Sequence, residues 1–510
     1  MSELRTALPD VTVAPRSIAA LADALRRRGL AGEPVGPTDA LVSGVTIDSR
    51  QAAPGVLFGA VAPDTLGGRD GHDFVDDALA RGASGAIVSA DWMARHERPS
   101  GATFVPADDT RLALAHAAAE LFGRPGDALR LVGVTGTNGK TTTTFVLHHL
   151  LSALGETAGL VGTVENRIGA DRYATAFTTP EAPTLQRLLR AMADAGVGTA
   201  VMEVSSHGLA LHRVGALDFD VAVFTNLGHD HLDYHRTFEE YRDAKKRLFD
   251  GLAETAVAVV NADDPEHERM LAGSAARVVT FGTSPGADVR VEVLGNTLDG
   301  LRLRLDGDER SYRMLGRFNA LNLAASYAVG VALGHRPPDV LDALAAAPGV
   351  PGRFETVRGG GVLGVVDYAH TPDALENVLS TAREIVPDGG RLWIVTGSGG
   401  DRDRTKRPEM AAVAERLADR VVLTQDNPRT EDPERILADV RAGLRHPDRA
   451  ATLQDRADAI GYAARQSQAG DVIVLAGKGH ETTQDIGGVK RPFDDRAVLR
   501  DALAAREAQP

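Results

Sequence analysis

Three polar clusters in the first half of the sequence have residue types and spacing suited to phosphoryl chemistry. The first is Gly136-Thr137-Asn138-Gly139-Lys140-Thr141. It follows a short apolar run and opens an amphipathic segment. In that context backbone N–H groups and a helix dipole can hold phosphate oxygens. Lys140 is placed to neutralise the β and γ phosphates of a nucleotide, and Thr141 to bind magnesium. A strict phosphate-loop pattern has glycine at position 134; this chain has Val134, with glycine one place earlier at Gly133. The second cluster, Met202-Glu203-Val204-Ser205-Ser206-His207, puts a carboxylate at a strand tip, where a hard cation finds oxygen ligands. The third is Asn226-Leu227-Gly228-His229-Asp230-His231-Leu232-Asp233. Its residue types suit zinc, but its spacing matches no standard zinc pattern. Beside a phosphate loop, contact with a magnesium nucleotide is the better reading.

The last third carries four more polar turns: Asp367-Tyr368-Ala369-His370, Gly399-Gly400-Asp401-Arg402-Asp403-Arg404, Asp426-Asn427-Pro428-Arg429 and Gly477-Lys478-Gly479-His480-Glu481. Arginine beside acidic residues suits joint recognition of a carboxylate and an amine, as a zwitterionic amino acid requires. A further stretch, Tyr241-Arg242-Asp243-Ala244-Lys245-Lys246, reads by composition as a charged helical face.

The elements that must position these turns are also legible. Apolar runs at 42–47, 56–60 and 86–88, with helical spacing at 17–28, indicate a small mixed α/β unit. A Gly-Arg-Pro-Gly-Asp turn at 123–127 breaks the pattern. Strands are expected at 131–134, 199–204, 221–225 and 256–260, and a helix at 141–154 ends against Gly155. Further strands are expected at 362–366, 392–396, 421–424 and 472–476. Alternating strands and helices imply mostly parallel sheets, whose ligands bind beyond the strands' carboxyl ends. The expected fold class is α/β in three domains: a mixed α/β N-terminal domain at 1–127, a central parallel-sheet phosphate-loop domain at 128–350, and a Rossmann-like C-terminal domain at 351–510.

The 510 residues include 56 basic and 70 acidic side chains, for a net charge of −14. That balance argues against a general nucleic-acid binder. The absence of cysteine excludes disulfides, thiolate metal sites and a cysteine nucleophile. No basic segment followed by an apolar stretch opens the sequence, and no run approaches a membrane span. A cytoplasmic, monomeric protein without a membrane partner is expected.

In order and spacing, the phosphate loop with Thr142, the Glu203–His207 and Asn226–His231 clusters, Gly316-Arg317-Phe318-Asn319-Ala320-Leu321-Asn322, Gly352-Arg353-Phe354-Glu355 and the 367–370 turn resemble the Mur ligase family, which builds the peptide stem of peptidoglycan. The 426–429 turn resembles the signature of its diaminopimelate-adding branch, with the lysine-adding sister branch as the alternative. The resemblance implies ATP, magnesium, diaminopimelate and UDP-MurNAc-L-Ala-D-Glu as small-molecule partners. It implies ATP contacts at Gly136, Thr137, Asn138, Gly139, Lys140, Thr141, Thr142, Asn319, Asn322, Arg353, Asp367 and His370. Catalytic roles fall on Lys140, Glu203, His231 and Lys245. Thr141, Glu203, His231 and Lys245, the last as a carbamate, would form the magnesium site. Ile47, Ser49, Thr178, Thr179, Ser205 and Arg213 would hold the UDP-sugar peptide. Arg402, Asp426, Asn427, Pro428, Arg429, Gly477 and Glu481 would hold diaminopimelate, with Arg429 on its distal carboxylate and Glu481 on its distal ammonium. Two departures stand out: Ser398 where relatives often have cysteine, and Leu211 where some have glutamine.

Overall fold

The computed structural model describes residues 4–63, 68–97, 101–228, 230, 234–297 and 299–507. The chain forms two compact units, one of Met1–Phe281 with Ala325–Val340, the other of Gly282–Ala324 with Leu341–Pro510.

Within the first unit, strands Gly44–Thr46, Val56–Gly59, Gly85–Ser89 and Phe104–Ala107 pair in parallel in chain order. Helix Ile18–Arg27 covers this sheet with Ile18, Leu21 and Leu25. Ser17 caps that helix by accepting from the Ala20 N–H at 3.2 Å.

The unit's larger sheet places Arg130–Thr135 between Thr199–Glu203 and Val221–Phe224, all parallel. Ala158–Val161 lies outside Thr199–Glu203, and Val257–Asn261 then Arg277–Gly282 outside Val221–Phe224. Helices cover both faces of the inner strands, which are buried almost end to end as their unbroken apolar runs require, whereas Arg277–Gly282 is exposed at Arg277 and Val278. The helix expected at 141–154 is Lys140–Ala153. Gly133, the displaced glycine of the loop pattern, packs beneath the Phe219 ring, where a side chain would collide. Its role is packing, and the phosphate loop begins at Gly136.

In the second unit, a six-stranded sheet runs Glu355–Gly359, Val362–Asp367, Val472–Ala476, Leu392–Thr396, Arg420–Leu423, Ala451–Thr452. Its first pair is antiparallel and the rest are parallel. The four polar turns of the C-terminal third all leave the carboxyl ends of its strands.

Several antiparallel pairings escaped the sequence reading, Asn166–Ile168 with Asp171–Tyr173 among them, and two carried turn signals. One is the meander Val289–Thr297, Gly300–Leu305, Asp308–Tyr312; the other is the hairpin Thr483–Ile486 with Val489–Pro492. Their signals were present as two-residue turns, Asp306-Gly307 and Gly487-Gly488, between alternating strands.

Helix Lys140–Ala153 buries His148, whose imidazole is 5% exposed. Burial first, then the Arg167 charge, pushes its pKa down from 6.5 to about 4. The unfolded chain therefore takes up this proton near pH 6.5 and the folded chain only near 4, so stability falls as pH drops through that window. Between pH 7 and 5 the loss from this one group is about 2 kcal/mol. Urea melts of wild type and His148→Gln should diverge in their pH dependence. Parallel curves would show that His148 is not held neutral.

Candidate functional site

The phosphate loop is braced by the neighbouring strand tip. Thr137 N–H donates to the Asn226 carbonyl at 2.8 Å and Asn138 N–H to Asn226 Oδ1 at 2.9 Å. Thr225 Oγ1 donates to the Asn138 carbonyl at 2.6 Å. Gly136 has φ 146°, and a methyl group there would overlap Thr225 Oγ1, so only glycine fits. Asn226 was seen in sequence only as part of a polar cluster; its role as the loop's brace needed the fold. Gly139 turns the chain into helix Lys140–Ala153, where Thr141 and Thr142 are buried in the first turn.

Two lysines converge on one backbone oxygen. Lys140 Nζ donates to the Gly136 carbonyl at 2.7 Å and to that of Thr137 at 2.9 Å. Lys245 Nζ, from helix Phe238–Asp250, donates to the same Gly136 carbonyl at 2.9 Å. Lys245 is 1% exposed, with its ammonium position 4.4 Å from the Tyr241 ring centroid. Burial, reinforced by the Lys140 charge and opposed by Asp230, holds its amine well below the usual lysine range. The charged-face reading of this helix thus holds for Lys246, which pairs with Asp250, and fails for Lys245.

Glu203 ends its strand 1% exposed. Its carboxylate accepts from Thr141 Oγ1 at 2.9 Å, Thr163 N–H at 2.8 Å and Thr163 Oγ1 at 3.1 Å. Thr163 carried no sequence signal. A buried carboxylate joined to the first-turn hydroxyl of a phosphate-loop helix is a set of hard oxygen donors that fits magnesium with nucleotide phosphates. His231 lies outside the described residues.

Close by, Thr179 Oγ1 donates to the Glu203 carbonyl at 2.9 Å and accepts from Ser205 N–H at 3.0 Å. Thr178 Oγ1 lies 3.0 Å from Thr163 Oγ1. Buried Arg213 donates to the Thr179 carbonyl at 2.9 Å and pairs with Glu181 at 2.5 Å. These four candidates therefore form one group around the Glu203 strand tip. In the small sheet, Ile47 packs on the core and Ser49 opens a short turn, bonded to Asp77.

The second unit collects the remaining candidates. Asn322 Nδ2 donates to Asn319 Oδ1 at 2.9 Å along one helix. The Arg353 guanidinium lies 4.7 Å from the Tyr368 ring centroid. Asp367 accepts from Phe354 and Ala369 N–H at 2.7 and 2.8 Å, and burial pushes its carboxyl up against the pull of Arg353. His370 is exposed, its Nδ1 2.9 Å from the Tyr368 carbonyl.

Arg429 sits in the left-handed region at φ 53° and donates to the Gly400 carbonyl at 2.5 Å. Gly400 N–H in turn donates to the Asn427 carbonyl at 2.9 Å, and the Pro428 carbonyl accepts from Glu431 N–H at 3.1 Å. This joins the 399–404 turn, which carries exposed Arg402, to the 426–429 turn. Asn427 Nδ2 donates to Glu481 Oε2 at 2.7 Å. Gly477 N–H donates to the Asp367 carbonyl at 3.1 Å. Asp426 is 7% exposed; burial raises its carboxyl pKa, opposed by Arg456 and then Lys478. Arg456 is itself clamped to Asp495 at 2.8 and 2.6 Å.

Gly136→Ala tests the loop's geometry. Displacing the loop by part of an ångström should weaken binding of a fluorescent ATP analogue by about tenfold or more, measured below a melting temperature that the strained methyl also lowers. Unaltered binding would mean that phosphates are held elsewhere.

Residues 134–330 match the Mur ligase middle domain, and residues 352–479 the Mur ligase glutamate ligase domain. The UDP-N-acetylmuramoyl-L-alanyl-D-glutamate–2,6-diaminopimelate ligase of Geobacillus kaustophilus is 45% identical, covering 90% of this chain and 94% of its own. The protein of that name from Chlorobaculum tepidum is 42% identical, covering 99% of both. A solved structure of a ligase of the same name is 34% identical with a TM-score of 0.68, covering 97% of this chain and 99% of that one. The D-alanyl-D-alanyl-adding ligase of Acinetobacter baumannii shares the fold at 18% identity and a TM-score of 0.62, over 92% of this chain and 97% of its own. Likeness this close, running from the phosphate loop through the C-terminal turns, makes the chain a member of the Mur ligase family.

Proposed function

We propose that this chain is an ATP-dependent ligase that joins diaminopimelate to the D-Glu γ-carboxylate of UDP-MurNAc-L-Ala-D-Glu, a step in making peptidoglycan precursors. The observation that carries the reading is the 426–429 turn, held by Gly400 and Glu481, in a chain whose relatives of that name match it nearly end to end. Lysine as the added amino acid is less well supported. It lacks the second carboxylate and would leave Arg429 without its partner.

A carboxylate is a poor electrophile, so it must first be activated. The γ-carboxylate oxygen attacks the γ-phosphorus of ATP, the bond to the β-phosphate oxygen breaks, and ADP leaves with an acyl phosphate remaining. The diaminopimelate amine then forms the C–N bond, loses a proton, and inorganic phosphate departs. The phosphate loop and Lys140 hold the nucleotide and neutralise charge on the transferring group. Thr141 and Glu203 are the described residues that would hold magnesium, which would supply further charge neutralisation when bound. His231 belongs to this proposal by resemblance. Lys245, whose pKa burial lowers, is the amine to which, in its neutral form, carbon dioxide adds with loss of a proton, leaving an anionic carbamate. Thr178, Thr179, Ser205 and Arg213 are assigned to the muramoyl peptide, and Ile47 and Ser49 to its uridine side. Asn319, Asn322, Arg353, Asp367 and His370 are assigned to the nucleotide, and Arg402, Asp426, Asn427, Pro428, Arg429, Gly477 and Glu481 to diaminopimelate. The domain division is 1–127 for the UDP-sugar, 128–350 for ATP and 351–510 for the amino acid. The protein is placed in the cytoplasm as a monomer acting on small molecules; its acidic balance suits neither nucleic acid nor an anionic surface.

Phosphate release with ATP, magnesium and UDP-MurNAc-L-Ala-D-Glu should require meso- or LL-diaminopimelate, with the product mass rising accordingly. Turnover with L-lysine alone would overturn the assignment. Carbon-13 bicarbonate should give a carbamate resonance in wild type that vanishes in Lys245→Arg, with kcat falling about 100-fold or more in that variant. Full activity in Lys245→Arg would remove the carbamate from the scheme.

A further inference from the structure

Lys478 is fully buried, a costly place for an ammonium unless every donor is matched. Its Nζ donates to Asn427 Oδ1 at 3.2 Å, Glu481 Oε2 at 3.0 Å and the Thr483 carbonyl at 2.7 Å. Three donors thus meet three acceptors. Asn427 completes the arrangement. Its Oδ1 also accepts from Asp485 N–H at 3.0 Å, which fixes the amide's orientation, and its Nδ2 donates to Glu481 Oε2. Both cross-links to Glu481 therefore fall on one oxygen, Oε2. No described group donates to Oε1 in the hydrogen bonds of this cluster.

Two nearby arginines have other partners. Arg429 donates to the Gly400 carbonyl. Arg456 is taken by Asp495 in a buried two-point pair that also holds the Ala476 carbonyl at 3.1 Å. Lys478 is thus the cation hydrogen-bonded to Glu481, and it engages only Oε2 among the described contacts.

We propose that Lys478 is a positioning residue for the incoming amino acid: by locking Asn427 and one oxygen of Glu481, it aims the other oxygen at the distal ammonium. This rests on the ligase reading above and deepens it. Lys478 is fully buried with all three donors taken within the protein, so it offers none to a substrate. Its effect runs through Glu481, so it should appear only when the amino acid carries a distal amine for Glu481 to hold.

The test compares wild type, Lys478→Met and Lys478→Gln on two acceptors. One is diaminopimelate; the other is 2-aminopimelate, which keeps the reacting amine and distal carboxylate but lacks the distal amine. In both variants KM for diaminopimelate should rise about tenfold or more, the scale of a lost charge-assisted hydrogen bond, while KM for ATP stays within about twofold. KM for 2-aminopimelate should be nearly unchanged. A parallel rise for both acceptors would show general loosening of the turn and overturn the proposal, as would an unchanged KM for diaminopimelate. Wild type supplies a check that needs no variant to fold: equal KM for the two acceptors would mean that no group holds the distal ammonium. Failure of wild type to use diaminopimelate at all would count against the ligase reading itself, a separate outcome.

Discussion

The carbonyl of Gly136 accepts from two lysines, and much of the first unit's chemistry hangs on that shared oxygen. Two ammonium groups beside one buried acceptor cannot both keep their charge cheaply. Burial and the Lys140 charge weigh against Lys245, whose amine is held well below the usual lysine range. The same glycine must lack a side chain because Thr225 crowds it, so the brace of the loop and the state of Lys245 share one backbone position. Lys140 is held against the loop by its bonds to the Gly136 and Thr137 carbonyls.

The second unit solves a different problem with the same means. Its turns must display carboxylates and arginines without letting them collapse onto one another. Buried ion pairs do that work. Arg407, fully buried, holds Glu431 at 2.9 and 2.7 Å and Asp439 at 2.8 Å, tying the base of the 399–404 turn to the segment that follows Arg429. Arg456 and Asp495 hold the strand ends that carry Asp426 and Gly477. Such pairs contribute little net stability, because desolvation offsets their attraction, yet each allows essentially one geometry.

Much of the scaffold was legible because parallel strands buried on both faces must be short and apolar, and the loops beyond them must be polar. The strands expected at 131–134, 199–204, 362–366, 392–396 and 472–476 sit where their apolar runs lie. The antiparallel meander was missed because its strands alternate apolar and charged residues, as in Gly300–Leu305, and resemble surface segments until the Asp-Gly turn is noticed. Lys245 was read two ways for a similar reason. Helical spacing reports which residues share a face, and only packing reports which face is buried.

The sequence by itself determined the alternation of strands and helices, the polar turns at strand ends and the family to which those turns belong, because residue type and local spacing are chain properties. Only the tertiary structure decided which turns meet. It placed Asn226 under the phosphate loop, Thr163 on Glu203, and Lys478 between Asn427 and Glu481. These contacts join residues about 40 to 90 positions apart, apart from the three-residue step from Lys478 to Glu481. Nothing local distinguishes a lysine bound for solvent from one bound for a buried carboxylate; strand order and burial make that choice.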